Sequence, residues 1–167
     1  MHHMAAHAHT VCGVNRFSTS ITSTAEIPFA QERIWSVVSD PDQVADLTPF
    51  LRGITVVDVG TWVWELHGIP YPGGEFAAHF TETMDLREPE RIAFTHDPDG
   101  RELAGADGWY SLAALGEERT RLAIGLTVHA MLPAPTWASR VIEPAMHAVV
   151  HQMGSRFAAN LEKALAH

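Results

Sequence analysis

"RLAIGLTVHAML" (residues 121–132) and "TWASRVIEPAMHAVVHQMGSRFAANLEKALAH" (residues 136–167) follow one another closely, and together they decide the fold. In the first, Leu122, Ile124, Leu126, Val128 and Ala130 share one face, while Ala123, Gly125, Thr127 and His129 share the other. A period of two is that of a strand with one face against a core. In the second, Ile142, Met146, Val149, Val150, Met153, Phe157 and Leu161 recur along one helical stripe. Pro144 has no N–H to donate, so a kink or break is expected just before it. A long half-apolar strand followed by one long amphipathic helix predicts a sheet with that helix laid across it.

Upstream, "ITVVDVG", "TWVWELHG", "EFAAHFTETMDL", "RIAFTHD" and "LAGADGWYSLAAL" also read as strands. The separators are short and rich in turn residues, so neighbours should pair antiparallel. "FSTSITSTAEI" (17–27) is β-branched and alternating, a first strand ended by Pro28. "FAQERIWSVVSD" then predicts a short helix with Phe29, Ile34, Val37 and Val38 inward and Trp35 beside the stripe. In "DPDQVADLTPF", Asp40 stands at a capping position, Pro41 at the first helical position and Gln43 at the third, which predicts a second short helix. The expected order is strand, two short helices, six antiparallel strands and a long C-terminal helix. That is an α+β fold with a curved seven-stranded sheet.

With 167 residues the chain is expected to form one domain, residues 17–167, after a flexible histidine-rich arm, residues 1–16. The arm carries His2, His3, His7 and His9 but lacks the basic-then-apolar layout of a signal peptide. Twenty acidic against 11 basic residues give a net charge of -9 with no basic patch, which excludes nucleic acid and anionic membrane surfaces as partners. No apolar run is long enough to span a membrane. Cys12 is the only cysteine, so no internal disulfide forms and a cytoplasmic location is expected.

Trp62, Trp64 and Leu66 alternate on one strand and would form a broad apolar wall. Phe76, Phe80, Phe94, Tyr110 and Leu126 from other strands, with Met146, Val150 and Met153 from the helix, complete the expected lining. Trp109 and Tyr110 are adjacent, so one faces inward, and Tyr110 is chosen. "YPGGEF" is a turn that would serve as a lip at the mouth. Glu82 shares the inward face with Phe76, Phe80 and Met84, either as a weak catalytic candidate, a general base, or paired with an arginine such as Arg91. His79 and His129 fall on the outward face. Glu143, His147 and His151 follow one another at i, i+4 and i+8 without a further ligand, so they read as solvated helix flank and no metal or cofactor is expected.

These segments resemble the START and Bet v 1-like (SRPBCC) superfamily, and within it the bacterial polyketide cyclase/dehydrase-like group, over residues 17–166. The carriers are "STAEIPFAQERIWSVVSDPDQVADLTPFLRGI", "LREPERIAFTHD", "ADGWYSLAALGEERTRLAIGLTV" and the closing helix. The resemblance implies a helix-grip fold and a hydrophobic small-molecule ligand (lipid, quinone or polyketide-like) between sheet and helix. It also implies an alternative, a polyketide aromatase/cyclase or dehydratase acting in the same place. Many relatives carry a tryptophan in the second short helix where this chain has Leu47. A third reading from the residues alone is a protein-interaction module with a filled core, favoured by a cavity below about 300 Å3.

Overall fold

A computed structural model describes residues 13–71, 74–97 and 101–167; His2, His3, His7, His9 and Cys12 lie outside the described residues. The element order is β1 (Asn15–Ile27), α1 (Gln31–Val38), α2 (Pro41–Leu47), β2 (Leu51–Asp58), β3 (Thr61–Leu66), β4 (Ile69–Tyr71), β5 (Gly74–Phe76), β6 (His79–Arg87), β7 (Arg91–His96), β8 (Ala104–Gly116), β9 (Arg119–Leu132), a single 3-10 turn (Thr136–Ala138) and α3 (Ser139–Leu165). Seven strands form one antiparallel sheet in the order β1-β9-β8-β7-β6-β3-β2, and β4-β5 make a separate hairpin. The expected single strand over residues 75–86 is therefore two, because the chain leaves the sheet at Ala77 and Ala78 and the segment before them pairs within its own hairpin.

Register carries the apolar pattern across the sheet. Trp62 pairs with Glu82 and Trp64 with Phe80, Met84 with Phe94, Ile92 with Tyr110, and Tyr110 with Ile124. Because side chains alternate, these residues share one concave face. The β2–β3 turn passes through Gly60 at a φ of 77°, where its carbonyl receives the Met84 N–H at 2.6 Å. Glycine takes that left-handed conformation without the steric cost of a side chain.

The second short helix starts as its sequence requires. Asp40 accepts from the backbone N–H groups of Asp42 (2.9 Å) and Gln43 (3.3 Å), and Gln43 Nε2 reaches back to Asp40 Oδ2 at 3.0 Å. The Gln43 side chain, with its backbone N–H and that of Asp42 adding, holds the Asp40 carboxyl below its usual pKa against the opposing effect of burial. Trp35, expected beside the stripe of α1, is buried in the core with Ile34, Val37 and Val38. The helix is enclosed on more than one side, by α2, β8 and α3.

The long helix runs from Ser139 through Pro144 to Leu165, so the expected break is absent. Pro144 sits near the helix start, where it removes only the bond to the Arg140 carbonyl, and both residues are exposed to water that can take its place. The two halves of α3 are held differently. Phe157, Leu161 and Leu165 are buried in the core cluster with Ile27, Leu112 and Leu122. Nearer its start the helix is tied to β1 at the sheet edge: Ser18 N–H donates to Glu143 Oε1 at 3.0 Å, and Thr19 Oγ1 lies 3.1 Å from His147 Nδ1. The helical flank is thus docked on β1 rather than only solvated.

Candidate functional site

The concave face gathers aromatic rings from four strands and the helix. Trp62 and Trp64 lie 6.4 Å apart between ring centroids, Trp64 stacks on Phe80 at 6.0 Å, Phe94 meets Tyr110 at 5.8 Å, and Tyr110 meets Phe157 at 6.5 Å. These spacings lie in the range of ordinary aromatic packing. Tyr110 faces inward as expected. Trp109 lies on the opposite face, over Gly125 and under the Arg91 guanidinium at 5.2 Å.

Among the residues expected to line a ligand, burial separates two groups. Trp62, Phe80, Phe94 and Val150 are buried. Trp64, Leu66, Phe76, Tyr110, Leu126, Met146 and Met153 are only half-buried. Half-buried too are Ile124 and Val128, which the alternation placed beside Leu126, and Val149 on the helix. The first half of α3 therefore covers the middle of the sheet incompletely, whereas its last half closes down through Phe157. Phe157 was legible in the helical stripe but not as a wall of the site.

Two voids are best defined, and neither touches an expected lining residue. One, of about 50 Å3, lies between β1, β9 and the last half of α3, lined by Ile27, Leu122, Ile124, Phe157 and Leu161 among others. The other, about 420 Å3 and open, lies where Gln31 of α1 meets Glu90, Arg91 and Ser111–Ala114.

Glu82 is the polar group at the centre of the concave face. It is 1% exposed, so its inward orientation is as expected, but it has no arginine partner: Arg91 is exposed on the other side of the sheet. Burial pushes the Glu82 carboxyl well above the usual carboxylate range; the facing Trp64 indole pulls it back in part and the Asp107 charge pushes it further up. The pull falls short of a hydrogen bond, since Glu82 Oε2 and Trp64 Nε1 are both buried with no hydrogen-bond partner among the described residues. Burial, with the nearby Glu82 charge second, also raises the Tyr110 hydroxyl.

A second polar cluster occupies the far side of the sheet. His129 Nε2 lies 3.1 Å from His96 Nδ1, His96 Nε2 lies 2.8 Å from Glu102 Oε2, and Glu102 accepts from Thr81 Oγ1 (2.7 Å) and Thr81 N–H (2.9 Å). His129 falls on the outward face but is buried, contrary to the expected exposure, because the His96 ring lies against it at 4.7 Å between centroids and is itself held by Glu102. His79, by contrast, is exposed. Burial, with Arg16 and His96 adding, lowers the His129 pKa against an opposing effect of Asp107. For Glu102, burial raises the pKa but hydrogen bonds from Thr81 and His96 outweigh it and lower it. No local signal announces this cluster, which depends on where a distant segment returns. Among the described residues no group of His, Cys, Asp and Glu is arranged to hold a metal, Glu143, His147 and His151 included.

The sequence profile described as "Polyketide cyclase / dehydrase and lipid transport" matches residues 18–166. The chain belongs to that family. No curated protein sequence matches it. Several solved structures share its architecture at low identity. A START superfamily protein from Mycobacterium smegmatis is 18% identical, with 88% of this chain and 97% of that one covered and a TM-score of 0.66. The Zhui aromatase/cyclase from Streptomyces sp. R1128 is 17% identical, covering 89% and 94%, at 0.65. A conserved protein from Geobacillus kaustophilus is 15% identical, covering 89% and 95%, at 0.68. At these identities the likeness establishes the helix-grip fold of the START/Bet v 1-like superfamily; function is not carried by fold alone.

No helix among the described residues is long and apolar enough to cross a membrane.

Proposed function

We propose that the protein binds a hydrophobic small molecule, lipid-, quinone- or polyketide-like, in the groove between the concave face of the sheet and the first half of α3. The observation that carries this reading is the incomplete cover over Trp64, Tyr110, Leu126 and Val128 from the sheet and Met146 and Met153 from the helix, all apolar or aromatic and all half-buried. Ligand sites are mostly apolar with a few placed polar groups. Glu82 and the Trp64 N–H supply such groups in an otherwise apolar wall. The β4–β5 hairpin, whose Phe76 packs against the core cluster, is the proposed lip of the groove. A single cysteine and net charge of -9 support a cytoplasmic location with no nucleic-acid partner and no stable membrane insertion.

The aromatase/cyclase or dehydratase alternative is favoured by one observation, the buried Glu82 carboxyl on the concave face, whose pKa burial raises and which as a neutral acid can give up a proton. In that reading Glu82 is the general acid or base and the groove orients the substrate.

Comparing native and denaturing mass spectra of protein purified from its own host without detergent tests the binding reading. A reproducible extra mass released on unfolding is expected, with its fragmentation giving the ligand class. If a ligand is identified and neither Trp64→Ala nor Met146→Ala weakens its binding while the fold survives, the groove is not the site. Absence of any carried mass, together with failure of apolar probes to bind, favours a filled core and a role in protein interaction.

A further inference from the structure

Glu82 and Trp64 sit on adjacent antiparallel strands. Trp62 is directly opposite Glu82 and Trp64 is opposite Phe80, so Glu82 and Trp64 are diagonal neighbours on the concave face. Among the described residues neither Trp64 Nε1 nor Glu82 Oε2 makes a hydrogen bond of good geometry. A buried polar group without a partner is costly, and cores ordinarily satisfy or replace it. Here two such groups lie side by side, in a wall that is apolar elsewhere and whose Trp64 surface stays partly accessible. Among the described residues no cation faces them: Arg91 stacks on Trp109 on the other side of the sheet, and the groups acting on Glu82 are the Trp64 indole and the Asp107 charge, with the Tyr110 hydroxyl nearby.

We propose that Glu82 and Trp64 form a two-donor seat for the carbonyl oxygen of a neutral, otherwise apolar ligand. This rests on the reading of the groove as a binding site and names the chemistry it selects. An unpaired buried carboxyl takes its neutral form and then donates an O–H, while the indole can only donate. A ketone or quinone oxygen, with two lone pairs, accepts from both. A fatty-acid carboxylate would bring a negative charge to a site with no cation and with Asp107 close by, so the seat discriminates against it.

Fluorescence titration of the full chain at pH 7 with a matched series tests this: 2-acetylnaphthalene, 2-ethylnaphthalene and 2-naphthoate. The ketone should bind about tenfold more tightly than the hydrocarbon, the scale set by one to two net hydrogen bonds, and the carboxylate should bind weakest. Trp64→Phe, which keeps a ring and removes the N–H, should bring the ratio of ketone to hydrocarbon affinity down toward one. Glu82→Leu should do the same, and Glu82→Gln, which keeps a donor, should retain most of the preference. Equal affinity for ketone and hydrocarbon, tightest binding of 2-naphthoate, or a Glu82→Gln loss as large as that of Glu82→Leu would overturn the seat while leaving a binding groove. Binding of none of the three would overturn the groove reading, and the seat with it.

Discussion

Replacing Glu82 with glutamine should make the protein less sensitive to rising pH. Glu82 is 1% exposed and burial holds its carboxyl well above the value of about 4.5 it has in the unfolded chain. A group whose pKa is raised by folding contributes stability that is complete below the unfolded pKa and is lost as pH rises toward the folded one. Over that interval the unfolded chain releases a proton that the folded chain keeps, so wild-type stability falls by about 1.4 kcal/mol per pH unit from this group alone. Glutamine does not titrate, so the variant escapes this loss. For a chain of this length 1 kcal/mol moves Tm by about 2–4 °C, so Tm of Glu82→Gln minus that of wild type should rise by about 3–6 °C per pH unit above 4.5. Scanning calorimetry at half-unit steps from about pH 4 to pH 8 measures it, and the titrations of His129 and Glu102, common to both proteins, cancel in the difference. Parallel Tm curves across that range would show that Glu82 ionises as readily in the folded chain as in the unfolded one, and the neutral donor at the centre of the concave face would be refuted.

Three further outcomes follow from the same geometry. Phe157→Ala should cost about 3–5 kcal/mol by urea denaturation, because its ring is buried against Tyr110, while Met146→Ala on the half-buried part of the helix should cost less than half as much; equal losses would mean that both halves of α3 are packed alike. Asp40→Ala should cost about 1 kcal/mol by removing the cap of α2, and Asp40→Asn should recover most of it in the same assay. The His129 pKa is lowered by burial first and by Arg16 and His96 second, so its contribution is present above the unfolded value of 6.5 and is lost as pH falls below it. His129→Gln should therefore flatten the acid side of the stability curve, and an NMR titration showing ordinary protonation of His129 in the folded state would contradict this.

Local chemistry made much of the fold legible. The cap of α2 is written in Asp40, Pro41 and Gln43, and a period of two in β9 placed Leu122 through Ala130 correctly. Tyr110 and Glu82 were assigned to the inward face by parity, which needs no knowledge of distant parts of the chain. What parity cannot supply is the depth of cover. Trp62 and Trp64 read identically in sequence, yet one is buried and the other half-buried, because burial depends on what distant parts of the chain pack over each ring. His129 shows the same limit from the other face: its direction was legible and its burial was not, since that depends on His96, which meets it from β7 and is tied in turn to Glu102. Pro144 read as a break because the rule concerns helix interiors, whereas the residue stands near a helix start with exposed neighbours.

The bond from Ser18 to Glu143 has a bearing on solubility. β1 is 13 residues long and lies at one end of the sheet order, so one of its backbone rows has no strand beside it. Such a row is a template on which a second chain can add by strand pairing. Glu143 occupies one of its donors and His147 leans on Thr19 next to it, so the start of α3 lies across the template. The same helix thus serves two surfaces at once: its apolar stripe faces the concave side of the sheet, and its polar flank covers part of the β1 edge. Lifting the first half of α3 away from the sheet would bare that edge, so the helix start is held by the same contacts that cover β1.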